Sequence, residues 1–292
     1  HYFGFNDWSI DYYSHKTHSG SSLYKNDSPI EVEGYITNVF TDNAIEFINE
    51  QPNKPFFLSL FYNAPLPPLQ VPGKPKDIRD KTTWHNNTRE DYVNVIENVD
   101  ENIGRILNNL KKKGLYKNTI IVFTYDHGGK DYVNHGELFH GFATLWEGGI
   151  RVPMAIRFPG KIEANAKETQ YVSALDIMPT VLNYIGVKTD DNTIDGINLM
   201  KPQKDRLLVW KWQKTWAVRK GDWKLTNSNE NHWKSRPYNQ YIKPIANNFE
   251  LKLFNITNDP GERINLAEKH PDMVKELEKE YQEWCANNIG KF

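Results

Sequence analysis

The residues best placed to do chemistry stand in one short stretch, Tyr125-Asp126-His127-Gly128-Gly129, directly after the β-branched run Thr119-Ile120-Ile121-Val122-Phe123-Thr124. That run predicts a buried parallel strand. In open α/β sheets ligands bind beyond the carboxyl ends of strands, so a carboxylate and an imidazole there are positioned to hold a cation or move a proton. Two glycines let the backbone turn sharply and approach a ligand closely. An Asp after a strand also serves as a helix cap or turn residue, so the stretch by itself leaves both readings open. His135 and His140 follow, which places three of the nine histidines between residues 127 and 140. A solvated surface cluster is the plain explanation of such a concentration.

The flanking sequence predicts the elements that must position this loop. Apolar residues recur at helical spacing from Thr37 to Asn49 and from Glu90 to Lys112, the second run ending in basic residues and Gly114. Pro55 to Tyr62 is a nearly continuous apolar run, the pattern of a strand covered on both faces, and a proline-rich loop separates it from the second helix. A further strand is expected at Val152 to Phe158 and a helix at Asp176 to Ile185, stopped by Gly186. Helix, strand, helix, strand implies a doubly wound α/β sheet. Residues 1 to 33 show no period and read as irregular surface. Beyond Pro202, short Trp-rich runs at Leu207 to Trp212, Thr215 to Arg219, Trp223 to Thr226 and Leu251 to Asn255 predict a smaller antiparallel sheet. An amphipathic helix from Pro271 to about Ala286 closes it. The expected boundary lies near residue 203, between an α/β part (1–202) and an antiparallel subdomain (203–292).

Composition narrows the partners. Lys and Arg (36) nearly balance Asp and Glu (37), so the chain has no global field to steer nucleic acid or a charged membrane, and neither is expected as a partner. Any anion site must be local. No apolar run is long enough to span a bilayer. The single cysteine, Cys285, cannot form an intrachain disulfide and does not report the redox compartment. The chain opens at His1-Tyr2-Phe3 with neither Met nor a signal-peptide pattern, and reads as starting inside something longer.

Thr144-Leu145-Trp146-Glu147-Gly148-Gly149-Ile150-Arg151-Val152-Pro153, with Phe158-Pro159-Gly160-Lys161-Ile162 behind it, closely resembles the signature of the type I sulfatases. Asn63-Ala64-Pro65, Asp100-Glu101-Asn102-Ile103-Gly104-Arg105, Asp176-Ile177-Met178-Pro179-Thr180, Val218-Arg219-Lys220-Gly221-Asp222-Trp223-Lys224-Leu225 and Asn258-Asp259-Pro260-Gly261-Glu262 agree in type and order, so the resemblance spans the chain. It implies an alkaline-phosphatase-like fold, a calcium ion and hydrolysis of sulfate esters, here on a sulfated carbohydrate. The nucleophile would be a formylglycine made from Cys or Ser in a Cys/Ser-x-Pro-x-Arg motif. Asp126 and His127 fall where the family places metal ligands, and the remaining acidic ligands belong to its upstream part. A periplasmic or extracellular location goes with the resemblance.

The chain also departs from the family. No Cys or Ser here stands in a Cys/Ser-x-Pro-x-Arg context; Ser28-Pro29 lacks the spacing and the Arg, and Cys285 is followed by Ala286. The nucleophile is therefore expected in an upstream part of the same polypeptide. Where the family has a His after Asn-Ala-Pro stands Leu66, and where it has a Lys before the Trp-Glu-Gly-Gly motif stands Phe142. His140 and Lys130 are the candidate replacements as cation or proton donor, with His135 a candidate substrate contact. Two apolar replacements keep open a degenerate, non-catalytic domain that binds a sulfated glycan. Phosphoryl or phosphonate transfer on the same scaffold ranks last, because the C-terminal pattern is sulfatase-like.

Overall fold

The computed structural model describes residues 1–17, 19–20, 22–51, 54–75, 86–129, 132–188, 194–201, 203, 205–228 and 250–288. They form two compact units, one of residues 1–119 with 158–160 and one of 120–157 with 161–292.

In the first unit, Phe3–Gly4 (β1), Leu23–Lys25 (β2) and Ser28–Ile30 (β3) pair antiparallel, so the region read as irregular carries a small sheet. Its strands have two or three residues, too few to establish a period-two pattern in sequence. The helices Ile36–Asn49 (α1) and Arg89–Lys112 (α2) match the predicted runs. α2 starts in a capping box, with Thr88 Oγ1 accepting from Asp91 N–H at 3.1 Å and Asp91 Oδ2 from Thr88 N–H at 2.8 Å. Its seam with α1 is partly polar: Asn98 and Asn102 both donate to Asn38 Oδ1, at 3.2 and 2.7 Å, and Arg105 pairs with Asp42. Ile10, Tyr12, Leu23, Tyr35, Ile36, Val39, Phe40 and Val95 form the core. Residues 55–62 belong to no strand among the described residues. Phe57 and Phe61, on the same side of the alternation, are 81% and 83% exposed, which corrects the expectation of a strand covered on both faces. An apolar run records a tendency to be buried; the packing partner decides whether it is.

The second unit holds the loop of interest. Ile121–Thr124 (β4) pairs with Met154–Arg157 (β5), and the pairing is antiparallel, not parallel as expected, with Ile121 opposite Arg157 and Thr124 opposite Met154. Apolar content alone does not specify strand direction. This register brings the end of β4 beside the start of β5, so residues 125–153 form one excursion closed at its base. Thr124 Oγ1 donates to Pro153 O there, at 3.2 Å. Within the excursion lies a one-turn helix that the sequence reading did not predict, Glu147–Ile150 (α3). Ile177–Tyr184 (α4) follows, at the predicted helix.

The four-stranded meander Leu207–Trp212 (β6), Thr215–Lys220 (β7), Trp223–Thr226 (β8) and Lys252–Asn255 (β9) is antiparallel as predicted, and Pro271–Asn288 (α5) packs on it. Strand alternation divides its residues between two faces. Val218 and its partner Leu225, with Leu253, meet Leu277 and Tyr281 of α5, where Tyr281 stacks on Trp216 at 4.0 Å. One residue along, Arg219 and its partner Lys224 face the other way, as does Phe254, which packs on Trp146. Gly221 turns the β7–β8 hairpin in two residues at φ 52°. No helix among the described residues is long and apolar enough to cross a membrane.

Leu277 is fully buried against this sheet, so Leu277→Ala is expected to cost about 2–5 kcal/mol in urea denaturation. A loss below about 1 kcal/mol would mean that α5 does not pack as described.

Candidate active site

The base of the loop is built by backbone interlocking. Gly128 N–H donates to Gly149 O at 2.9 Å, Gly148 N–H to Phe139 O at 2.9 Å, and Phe142 N–H to Gly129 O at 2.9 Å. These contacts join the Asp-His-Gly-Gly segment to the Trp-Glu-Gly-Gly segment. At Gly128 a Cβ would lie 1.8 Å from Gly148 O, and at Gly148 it would lie 2.3 Å from His140 O. Only glycine permits approaches this close. The segment between them holds His140 at φ 56° and Ala143 at φ 61°, a left-handed backbone that costs non-glycine residues about 1–3 kcal/mol each.

Above this base stands the pair that the sequence singled out. Asp126 and His127 follow β4 with side chains 82% and 43% exposed. Asp126 Oδ1 accepts from His127 N–H at 2.9 Å, and Oδ2 lies 3.2 Å from His127 Nε2. His127 Nδ1 is 3.1 Å from Gly128 O. A carbonyl oxygen only accepts, so Nδ1 carries the proton and a neutral ring turns its Nε2 lone pair toward a carboxylate oxygen. The Phe142 ring packs 4.6 Å from the His127 ring, so the position where the family resemblance placed a Lys holds an apolar wall.

His135 and His140 both contact the base of the loop. His135 Nε2 donates to Gly129 O at 2.9 Å, which fixes its tautomer and supports the glycine turn. The half-buried His140 ring lies 4.1 Å from Phe139 and 5.9 Å from Trp146. Lys130 lies outside the described residues. Leu66 belongs to the first unit, where its carbonyl accepts from Tyr12 Oη at 3.0 Å.

For a hard dication the donor set fits in kind, since Asp126 presents carboxylate oxygen, but not in number. Calcium takes 6–8 oxygens, and among the described residues no group of three or more His, Cys, Asp and Glu is arranged to hold a metal. Asp126 can be one part of such a shell.

Sequence reasoning missed the charges beneath the loop. Glu147, 2% exposed, lies 3.0 Å from Lys224 Nζ and 3.3 Å from Arg219 Nη1, with the more exposed Arg151 at 3.9 Å. Lys224 also lies 2.8 Å from Glu262 Oε1, and Glu262 Oε2 accepts Glu147 N–H at 2.6 Å. The Arg219 guanidinium carbon lies 3.2 Å from the centre of the Tyr171 ring. Burial pushes the Glu262 carboxyl above the usual carboxylate range, against the pull of Lys224 and the Glu147 N–H. Folding therefore favours its protonated form. The stability it contributes is complete below the unfolded carboxylate pKa and is lost as pH climbs through the raised folded value. Burial likewise lowers the Arg219 pKa, opposed by Glu147. The available sequence signal was that Arg219 and Lys224 alternate with core positions in a sheet packed between two other layers.

Gly128→Ala is expected to lose about 3 kcal/mol or more in urea unfolding, because backbone oxygen blocks the methyl group. Gly104→Ala, inside α2 with open space at its Cβ, should be neutral or gain up to about 1 kcal/mol. Equal effects of the two substitutions would contradict the interlocked loop.

Known proteins resemble this chain over nearly all of its length. The Sulfatase family model matches residues 1–187, and that of the N-sulphoglucosamine sulphohydrolase C-terminal region matches residues 136–287. YdeN, an uncharacterized sulfatase of Escherichia coli (strain K12), is 28% identical over 314 aligned positions, covering 95% of this chain and 54% of its own. The N-acetylgalactosamine-6-sulfatase of Mus musculus is 27% identical, over 80% of this chain and 49% of its own. The chain thus spans about half the length of the curated relatives it matches. Among solved structures, Ps i-CgsB in complex with k-i-k-neocarrahexaose is 31% identical, with a TM-score of 0.73 over 90% of this chain and 57% of that one. On an alkaline-phosphatase-like α/β fold, with a family model matched across most of its length, this chain belongs to the sulfatase family.

Proposed function

We propose that this chain supplies the metal- and sulfate-facing loop of a sulfuric ester hydrolase acting on a sulfated carbohydrate, with the nucleophile supplied by an upstream part of the same polypeptide. The observation that carries this reading is the Asp126-His127 pair, exposed at the end of β4 on a frame that glycine packing and buried charge hold in place. Asp126 is the oxygen ligand for calcium, and His127 either completes the pair as a ligand or contacts a sulfate oxygen. A calcium ion held there would neutralise sulfate charge and lower the pKa of an oxygen nucleophile. Protonation of the leaving alcohol falls to a residue other than Phe142, with His140 and Lys130 the candidates. His135 has given one ring nitrogen to Gly129, which leaves Nδ1 for a substrate contact. The carbohydrate class is supported by the N-acetylgalactosamine-6-sulfatase relative and by the neocarrahexaose complex of Ps i-CgsB. A periplasmic or extracellular location belongs to the same proposal.

One pair of positions favours a second reading, a domain that binds a sulfated glycan without cleaving it. Leu66 and Phe142 are apolar where the resemblance places His and Lys. Loss of one preorganised charge-stabilising donor costs about 3–4 kcal/mol at a transition state, so two losses would remove most of the acceleration they supplied.

In an upstream-extended polypeptide, Asp126→Ala should weaken calcium binding by about 10–100-fold or more by calorimetry. Unchanged affinity would remove Asp126 from the metal site. Activity separates the two readings. Residues 1–292, assayed with an aryl sulfate and with sulfated oligosaccharides, with and without calcium, are expected to show no turnover, and the extended polypeptide to show it. Turnover by the short chain, lost in His127→Ala, would sink the upstream-nucleophile reading, whereas turnover by neither favours the glycan-binding domain.

A further inference from the structure

Four charged side chains are buried directly beneath the proposed reactive edge, and they have no part in the chemistry just described. Lys224 Nζ is wholly buried, 3.0 Å from Glu147 Oε1 and 2.8 Å from Glu262 Oε1. Its ammonium donates a hydrogen bond to Glu147 Oε1 and pairs with Glu262 Oε1 by charge, and with all three side chains buried no solvent can replace either carboxylate. Glu262 completes the circuit by accepting the Glu147 N–H at 2.6 Å, one of the first-turn donors that a helix cannot satisfy internally. From Glu147 onward the path is backbone alone: Gly148 N–H meets Phe139 O at 2.9 Å, and Gly149 O receives the Gly128 N–H at 2.9 Å. Gly128 directly follows Asp126-His127. Every link after Lys224 is therefore an ion pair or a hydrogen bond between groups with little freedom to drift.

We propose that Lys224 is a positioning residue for the Asp126-His127 loop: by binding Glu147 and Glu262 together it pins α3 to β8, and the backbone of α3 holds Gly128. A buried ion cluster is often no more stabilising than an apolar core of the same volume, so its directional contacts explain its presence better than stability does. The functional meaning of the clamp rests on Asp126-His127 being the reactive edge; the clamp itself can be measured without turnover. Spatial intermediacy alone does not establish coupling, so the measurement must read the loop and the bulk fold separately.

The experiment compares the wild-type chain with Lys224→Met, Lys224→Arg and Glu262→Gln, following the His127 ring resonances by histidine-selective 15N labelling and amide exchange at Gly128 and Tyr281. In Lys224→Met the His127 resonances should move, and Gly128 exchange should accelerate about tenfold more than exchange at Tyr281 in α5. Lys224→Arg, which keeps the charge, should lie nearer the wild type on both signals. Gly128 and Tyr281 accelerating together, with the His127 resonances unmoved, would overturn the proposal and leave Lys224 a residue of general stability. If Lys224→Met does not fold, Glu262→Gln decides by the same two signals. A clamp seen by exchange, together with unchanged calcium affinity in Asp126→Ala, would retain the clamp and discard the reading of the loop.

Discussion

Glu147 carries a carboxylate into the interior on the first residue of a one-turn helix, where its lost hydration must be offset on the spot. The effective penalty for burying an ion is several kcal/mol, and removing one member of a buried pair costs about 3–5 kcal/mol. Glu147 and Glu262 meet Lys224 and Arg219 inside the protein, with the more exposed Arg151 at the rim of the cluster. The buried groups offset one another's lost hydration only when all four are present. The β7–β8 hairpin and the Asn258-to-Glu262 segment must therefore both be in place for the Trp-Glu-Gly-Gly segment to bury its acid. The family signature in the loop and the one in the C-terminal sheet, far apart in sequence, are two sides of one electrostatic contact.

Above that contact the loop changes character. Its lower part is held by backbone hydrogen bonds packed too closely for any side chain at Gly128 or Gly148, and by His135 bonding to Gly129 O. Its upper part presents an exposed carboxylate and imidazole side by side. A closely packed base under the proposed reactive edge would suit electrostatic catalysis, because a preorganised group need not reorganise when charge develops. The left-handed backbone at His140 and Ala143 lies in the same base, where neighbouring packing can hold such strain.

The meander shows how two such different surroundings come from one sheet. Period-two alternation sends Val218, Leu225 and Leu253 to an apolar helix and Arg219 and Lys224 to a buried acid. Slipping the register of β8 by one residue would put Lys224 against α5 and Leu225 against Glu147, so hydrophobic packing and ion pairing reinforce the same register.

The sequence by itself determined the elements with a clear period: α1, α2 and α5, the four strands of the meander, and the place of Asp126-His127 at the end of β4. Each depends on local spacing, which the chain carries in its own order. The signature residues also established the family without any coordinates. Tertiary structure alone decided that β4 pairs antiparallel with β5, that Phe57 and Phe61 lie exposed, and that β1 to β3 form a sheet, because apolar character says that a strand is wanted but not what will cover it. It alone showed that His135 Nε2 bonds Gly129 O, since a histidine near a motif looks the same in sequence whether or not it meets a backbone carbonyl. The burial of Lys224 was the least legible, because a lysine on a strand reads as a solvated side chain until the two glutamates that neutralise it, 77 residues before and 38 after, are folded against it.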